Sequence, residues 1–458
     1  MMKRLLITAL MSCSLLCNGQ DFDNCFAIIV GKNASADGSV ILGHNEDDAD
    51  EQMLNCYFTS PRRVEAEKQY GTKAAGYFWA ELPGMAVADA FMNDYGVAVV
   101  SDNCKSREDA PELTDGGVLY EIRVNVARYA RSAREGVDII GSLVDRYGYT
   151  DPGRTYIVAD TSEAWLVAVV QGKHWVASRV PDDGVVVIPN YYVTDRIDLS
   201  DTANFVGSPD IISYAEKRGW YDPAKDGEFS FRKAYAHLVS RGKPFNVERH
   251  KDAFAFFGFK TDDPFNMPYS FTPEKKVSVS DIMAALSLHR DKFAVGSLSR
   301  NSTVLSTVFQ MRPQLPKVLG CICWMAVGHP GVEPYFPVYL GMTEMPGTLS
   351  RFGFNFRKAE ERHFTDCKGM RERYPKHNWW KHLDRWSRIY NNPEELEFGA
   401  ASKAAAMQEE IFDAQEAFEA GMLKYCSEVK PDGEKYIMLA RRLNDNFAKY
   451  YSKWVFNF

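Results

Sequence analysis

The sequence predicts an α+β fold in which antiparallel sheets pack face to face with helices outside them. Short apolar runs separated by turn residues indicate hairpins. A helical pattern over Val118–Tyr147 interrupts these runs, and further apolar runs follow it. Beyond Phe352 the composition changes to Glu, Lys, Arg, Ala and aromatic residues. We therefore expect a sheet-rich domain at residues 25–351 and a helical appendage, residues 352–458, packed on it.

The first hairpin is predicted from two apolar runs, Phe26–Val30 and Val40–Leu42. A polar segment with the turn dipeptide Asp37-Gly38 joins them. Pairing Asn33 with Ser39 fixes the register of the two strands, because residue numbers across an antiparallel pair have a constant sum.

That register places a thiol beside a polar cluster: Cys25 starts the first strand, Asp47 lies opposite it, and His44 and Asn45 lie close by. Such an arrangement suits an N-terminal nucleophile, which uses the α-amino group of the mature first residue as its base. In peptides this amine has a pKa of roughly 7.7 to 8, so it can accept and return a proton near neutral pH. We expect Cys25 and Asp47 to be catalytic and His44 and Asn45 to bind substrate.

A second hairpin is predicted at residues 85–100, with the turn Asn93-Asp94-Tyr95-Gly96 between its strands. Its exit carries Asn103, and the exit of a later strand carries Asn190. Because side-chain amides can donate to a tetrahedral oxyanion, we expect both asparagines in the site. Residues 118–147 predict two helices, and further strands are expected at 155–160, 164–170, 174–177 and 184–190.

The region 205–275 is rich in Gly, Pro, Lys and Phe and is interpreted mostly as loop. A helix at 282–289 is expected to have Ser280 as its N-cap. The remaining predicted elements are short helices at 211–217 and 231–240, strands at 304–309, 317–326 and 335–341, and long helices at 400–424 and 435–454.

The first twenty residues predict a signal peptide. A basic start, Met1-Met2-Lys3-Arg4, precedes an apolar run to Leu16 and a polar exit, Asn18-Gly19-Gln20. The run is too short to span about 30 Å of hydrocarbon as a helix. We expect export to the bacterial periplasm or cell envelope; the alternative is a lipoprotein anchored at Cys13, because the residues before it resemble a lipoprotein cleavage box.

Residues 21–24 are expected to form a short propeptide, which would still block the α-amine of Cys25 after removal of the signal peptide. The residues directly before Cys25 do not form the small-x-small pattern that signal peptidase cuts. The nucleophile hypothesis therefore requires a second cut, made by Cys25 itself on the Asn24–Cys25 bond.

Composition and missing motifs exclude several other classes. A net charge of −7 gives no support for nucleic-acid binding. Two of the nine cysteines lie in the leader, and the odd remainder leaves a free thiol if pairing is internal. The chain has no CxxC, HExxH, GxSxG or GxGxxG motif, and its acidic run Glu46–Glu51 does not fit an EF-hand. We expect no metal and no cofactor; a homo-oligomer is left open.

The opening motif Cys-x-x-Ile-x-Val-Gly-Lys-x-Ala-Ser-x-Asp-Gly-Ser, followed by Gly-His-Asn-Glu-Asp, resembles the start of the dipeptidase A family of cysteine peptidases, within the N-terminal nucleophile hydrolase superfamily. It is also similar to the related choloylglycine hydrolases and penicillin V acylases. The resemblance continues in order over roughly residues 25–345, through segments at 93–98, 132–138, 188–191, 315–326 and 335–339.

The resemblance implies a four-layer αββα fold, self-processing before Cys25, and amide hydrolysis through a thioester. One position departs from the pattern, because relatives often carry arginine where this chain has His44. A neutral imidazole supplies less positive potential beside the thiol than a guanidinium. Carried over by resemblance, the site residues are the nucleophile Cys25, Asp47 as the acid that binds its α-amino group, Asn190, Asn103 of the oxyanion hole, and the late Arg300.

The expected function is that of an exported dipeptidase of broad specificity, acting on small peptides. One alternative is an N-acyl amide hydrolase acting on bile-salt or penicillin V amides. Another, from a different class, is a catalytically silent binding protein of the cell envelope, which would need no mature Cys25.

Overall fold

The structure is a computed structural model that describes residues 25–47, 53–59, 74–82, 90–261, 263, 266–289, 297–345, 349, 369–429 and 434–456. The predicted signal peptide with Cys13, the propeptide and most of the predicted strand at 85–91 lie outside these residues and stay predictions. The domain boundary near residue 352 also lies outside them. Among the described residues, no helix combines the length and the apolar character needed to cross a bilayer.

The strands form two antiparallel sheets. In chain order they are β1 Phe26–Val30, β2 Val40–Asp47, β3 Asn55–Thr59, β4 Tyr77–Glu81, β5 Phe91–Asn93, β6 Ala98–Asn103, β7 Tyr149–Ala159, β8 Ala164–Gly172, β9 Trp175–Arg179, β10 Val185–Ile188, β11 Phe205–Gly207, β12 Thr303–Met311, β13 Cys321–Val327 and β14 Phe336–Tyr339. The six-stranded sheet has the order β10-β1-β2-β12-β13-β14, and the eight-stranded sheet the order β11-β9-β8-β7-β6-β5-β4-β3.

The helices cover the outer faces of these sheets. In chain order they are α1 Glu121–Tyr129, α2 Ala133–Tyr147, α3 Ile211–Lys217, α4 Phe231–Tyr235, α5 Leu238–Gly242, α6 Pro244–Phe256, α7 Val279–Leu286, α8 Lys317–Gly320, α9 Met370–Arg373, α10 Trp379–Asn391, α11 Pro393–Val429 and α12 Glu434–Phe456.

The eight-stranded sheet is buried on both faces, and β8 shows how. Alternate side chains of a strand point to opposite faces. Trp165, Val167 and Val169 therefore pack with α1 and α2, whereas Leu166 and Val170 belong to the core between the sheets. This double burial explains why the strand is apolar without interruption.

The six-stranded sheet is covered by the later helices. A Cβ at Gly43 of β2 would lie 2.6 Å from the side chain of Ile282, so α7 lies directly on the sheet there. On β14, the ring of Phe336 contacts the rings of Phe447 and Tyr451 in α12. The order of layers is helix, sheet, sheet, helix, which confirms the predicted α+β sandwich.

Most predicted elements are present, with local corrections. The predicted helix at 231–240 is two helices, because Ala236 is extended and bridges Ser106. The predicted strand at 317–326 begins with the helical turn α8. The N-cap of α7 is Ser278 rather than Ser280, and its capping box with Asp281 satisfies two free backbone N–H groups. Within the region interpreted as loop lies a thirteen-residue helix, α6.

The register of the first hairpin differs from the prediction by one residue. Phe26 pairs with Asn45, so Cys25 lies next to Glu46 rather than opposite Asp47. The assumed pair of Asn33 with Ser39 does not form, because the main-chain N–H of Asn33 donates to Asp182 (2.6 Å) and the loop turns away from the ladder.

Candidate active site

The candidate site lies where several strand ends meet at one edge of the six-stranded sheet. Cys25 precedes β1, Asp47 ends β2, Thr303 begins β12 and Asn190 follows β10. Because neighbouring strands are antiparallel, the start of one lies beside the end of the next. The end of β6, in the facing sheet, brings Asp102 to the same place, so sheet topology gathers residues that are far apart in sequence.

Cys25 is buried and is held as a neutral thiol. It is 7% exposed, and its Sγ donates a hydrogen bond to Glu46 Oε1 at 3.2 Å. Burial raises the pKa of the thiol well above its usual value, and the negative charges of Glu46, Asp102 and Asp47 raise it further, while a backbone hydrogen bond from Asp47 opposes them. Forming a thiolate here needs a nearby positive charge or proton acceptor.

His44 lies beside the thiol and is paired with a carboxylate. Its Nε2 is 2.9 Å from Asp102 Oδ1, and both side chains are almost fully buried. Cys25 Sγ, a ring nitrogen of His44 and a carboxylate oxygen of Asp102 lie within 4.8 Å of one another. Zinc accepts these three ligand types, so among the described residues this is the group that could hold a metal.

Asp47 is a buried acid with one oxygen unsatisfied. Thr303 Oγ1 donates to its Oδ1 at 2.5 Å, whereas its Oδ2 has no hydrogen-bond partner among the described residues. Burial raises the pKa of Asp47 to about 6, against the opposing effects of Arg300, the Thr303 hydroxyl and Arg249. The unsatisfied oxygen can accept a hydrogen bond from a cationic donor placed beside it.

Asp47→Asn is expected to stabilise the unprocessed chain at high pH but not at low pH. The folded-state pKa of about 6 lies above the ordinary 3.8. Ionisation of Asp47 therefore lowers the free energy of unfolding as the pH rises through this interval, and Asp47→Asn removes this loss. The difference corresponds to ~3 kcal/mol above about pH 7 and vanishes below about pH 4. Urea unfolding of the Cys25→Ala chain, with and without Asp47→Asn, measures it at both pH values.

The control for this comparison is Asp138→Asn, which changes an exposed carboxylate on α2. It should shift the free energy of unfolding by less than about 0.5 kcal/mol at either pH. A gain for Asp47→Asn of equal size at both pH values would contradict the assigned pKa.

Asn190 is held in a conformation that few residues adopt. Its φ is 66°, in the left-handed region, and its side chain is fully buried. Asparagine tolerates this region better than most residues. Its Nδ2 donates to the main-chain oxygen of Asn103 at 3.2 Å, and its Oδ1 accepts from Arg249. The structure therefore brings the two predicted asparagines together through the backbone of Asn103.

Arg249 is a site residue that the sequence reasoning missed. It lies on α6, is fully buried, and donates to the main-chain oxygen of Cys25 at 3.5 Å, to Asn190 Oδ1, and to Asn246 Oδ1 at 3.1 Å. Burial, together with the charge of Arg300, lowers its pKa to about 10, which leaves it a cation at neutral pH. In the sequence, Pro244 at the first helical position indicates the start of α6. No local pattern indicates that Arg249 belongs to the site.

Arg300 also reaches the site, from the loop before β12. Its charge is the largest influence that lowers the pKa of Asp47. Its guanidinium lies 5.8 Å from the centre of the Phe245 ring, and that of Arg249 lies at the same distance from this ring. Two arginines therefore stand close to the buried acid, where one was predicted.

Asn45 is not placed in the site. Its side chain lies on the strand face opposite to that of His44, and its Nδ2 donates to the main-chain oxygens of Leu286 (2.8 Å) and Leu298 (3.0 Å). These contacts give Asn45 a structural role, in which it ties β2 to the end of α7 and to the segment before β12, and its predicted contact with substrate stays a prediction.

Comparison with known proteins gives a consistent result over most of the chain. The family described as Peptidase family C69 matches residues 24–99 and 97–360. A probable dipeptidase of Salmonella dublin is 28% identical over 356 residues, covering 69% of this chain and 81% of that protein. A dipeptidase of Bifidobacterium longum (strain NCC 2705) is 25% identical over 390 residues, covering 71% of this chain and 72% of that protein.

Solved structures are more distant. Penicillin V acylase from Agrobacterium tumefaciens is 11% identical, with a TM-score of 0.35, and covers 69% of this chain and 86% of that one. A variant of conjugated bile acid hydrolase from Clostridium perfringens is 10% identical, with a TM-score of 0.36, and covers 69% of this chain and 92% of that one.

Proposed function

The chain belongs to peptidase family C69, and from this premise we propose that it is an exported dipeptidase that hydrolyses its substrates through a thioester on Cys25. The observation that carries the proposal is the position of Cys25 at the start of β1, surrounded by Asp47, His44 and Arg249. Relatives that match most of the chain are named dipeptidases, which supports small peptides as the substrate class.

In the proposed mechanism the chain first loses residues 1–24, so that Cys25 acquires a free α-amine. This amine accepts the Sγ proton, and the thiolate attacks the carbonyl carbon of the substrate's peptide bond. The unsatisfied Oδ2 of Asp47 would hold the resulting ammonium.

The side-chain amides of Asn103 and Asn190 are the proposed donors to the tetrahedral oxyanion. The amine then returns the proton to the leaving nitrogen, the thioester forms, and water hydrolyses it. Arg249 and Arg300 supply positive charge that favours the thiolate against the surrounding carboxylates.

The order of residues along the chain supports export and processing. The basic and apolar leader precedes the proposed nucleophile, and only residues 21–24 separate its polar exit from Cys25. A lipid anchor at Cys13 would keep the same site at the membrane surface.

A substrate panel tests the proposed function. Purified enzyme is incubated with dipeptides, a glycine-conjugated bile salt and penicillin V, and released amine is measured together with the intact mass of the chain. We expect release from dipeptides by a chain that begins at Cys25. An active preparation that still carries Asn24 would contradict the mechanism, and preferential cleavage of the bile salt or penicillin V would make the chain an N-acyl amide hydrolase.

A further inference from the structure

The proposed processing step has no α-amine to use as a base. Before the Asn24–Cys25 bond is cut, the nitrogen of Cys25 is part of an amide and cannot accept a proton at neutral pH. The thiol must nevertheless lose its proton before it can attack the carbonyl carbon of residue 24. A base other than the α-amine must therefore take that proton, and a hydrogen-bonded side chain is placed to do so.

Glu46 is the side chain in position. Its Oε1 accepts a hydrogen bond from Cys25 Sγ at 3.2 Å, within the reach that proton transfer requires, and it is only 3% exposed. We infer that Glu46 is the general base of self-cleavage, and this inference rests on the proposed function.

The neighbouring bases are placed less well. The Nε2 of His44 is bound to Asp102, and the ring lies within 4.8 Å of the thiol without a hydrogen bond to it. Asp47 accepts a hydrogen bond from Thr303 with one oxygen, and its hydrogen bond with Sγ is made by its main chain, so its carboxylate acts on the thiol only through its charge. Of these three side chains, Glu46 is therefore the one that is hydrogen-bonded to the thiol.

The observed register is what puts Glu46 there. Because Phe26 pairs with Asn45, Cys25 and Glu46 are cross-strand neighbours on one face. The register predicted from the sequence would have turned the Glu46 side chain to the opposite face.

Glu46 takes the Sγ proton, and the thiolate attacks the carbonyl carbon of Asn24 to give a five-membered tetrahedral intermediate. The bond from that carbon to the nitrogen of Cys25 breaks, and Glu46 returns the proton to the nitrogen, which becomes the α-amine. A thioester now joins Asn24 to Sγ, and one water molecule hydrolyses it to release the carboxyl group of Asn24 and regenerate the thiol.

During later turnover the same carboxylate is unfavourable. Its charge raises the pKa of the thiol on which peptide hydrolysis depends, and the freed α-amine has taken over proton transfer. A base needed only once accounts for a buried carboxylate placed against a nucleophile.

The test follows cleavage of the full chain, residues 1–458, made in a purified translation system that contains no protease. Intact mass gives the rate at which chains beginning at Cys25 appear. We expect Glu46→Gln to slow this rate at least about 100-fold. Glu81→Gln, a change at another buried glutamate, is the matched control and should stay within about threefold of the wild type.

A second measurement separates the base from a structural role. Glu46→Ala should also fail to process, and added formate, which restores a carboxylate in the space left, should raise its rate by about tenfold or more. Rescue would not be expected if the variant were merely misfolded.

A third arm exposes Cys25 independently of self-cleavage. A chain encoded as Met followed by residues 25–458 gains a free Cys25 when the host removes the methionine. In that chain, Glu46→Gln should lower kcat/KM much less than it lowers the rate of processing. The fold-loss in kcat/KM should be at least about tenfold smaller than the fold-loss in the processing rate.

The inference is overturned if Glu46→Gln processes within about threefold of the wild type, if both rates fall equally, or if only His44→Gln blocks processing. Failure of the proposed function looks different, because wild-type chains would then be active without beginning at Cys25.

Discussion

Cys25→Ala is expected to lower kcat/KM for a dipeptide at least about 10⁴-fold and to leave the chain uncut before residue 25. Both effects have one cause in the proposed mechanism, in which the same sulfur attacks the Asn24 carbonyl during processing and the substrate carbonyl during turnover. Dipeptide hydrolysis and intact mass, measured on one preparation, report the two together.

The matched control is Cys426→Ala, which removes another buried free thiol from α11. It should keep kcat/KM within about twofold of the wild type. If Cys25→Ala retained hydrolysis, the nucleophile would have to be a different group, and the assignment of the site would fail. If it lost hydrolysis but was still cut before Cys25, processing would belong to another protease.

Arg249→Met is expected to lower kcat/KM by about 10² to 10³-fold, because it removes a fixed positive charge beside a thiol that burial and three nearby carboxylates hold in its neutral form. It should also lower the free energy of unfolding by ~3 kcal/mol, since Asn190 Oδ1 loses a buried charged donor. Steady-state kinetics and urea unfolding measure the two effects.

The control for this change is Arg196→Met, at an arginine whose side chain is 76% exposed. It should alter neither quantity by more than about twofold or 0.5 kcal/mol. Arg249→Lys keeps the charge without the forked donor and should fall between the wild type and Arg249→Met. A loss of stability with unchanged kcat/KM would assign Arg249 to holding Asn190 alone.

Local patterns predicted the fold well because they depend on neighbours in sequence. The double-sided burial of β8 and the two helices after the second hairpin follow from apolar spacing alone. The register of the first hairpin does not, because the turn residue Asn33 hydrogen-bonds to Asp182, which is distant in sequence. Arg249 was not predicted for the same reason, since its helix α6 is distant from Cys25 in sequence and contacts it only in the folded chain. The helix itself lies in a stretch rich in Gly and Pro, which was interpreted as loop.

The order of strands means that the site proposed for processing before Cys25 depends on residues made late in the chain. The strand that follows Cys25 lies between β10 and β2, and β2 is completed on its other side by β12, which the ribosome makes only after more than three hundred residues. A nascent or truncated chain ending before Thr303 therefore lacks one wall of the site, including the hydroxyl that binds Asp47. In the proposed processing, the surroundings of Cys25 are therefore complete only in a chain that extends through β12.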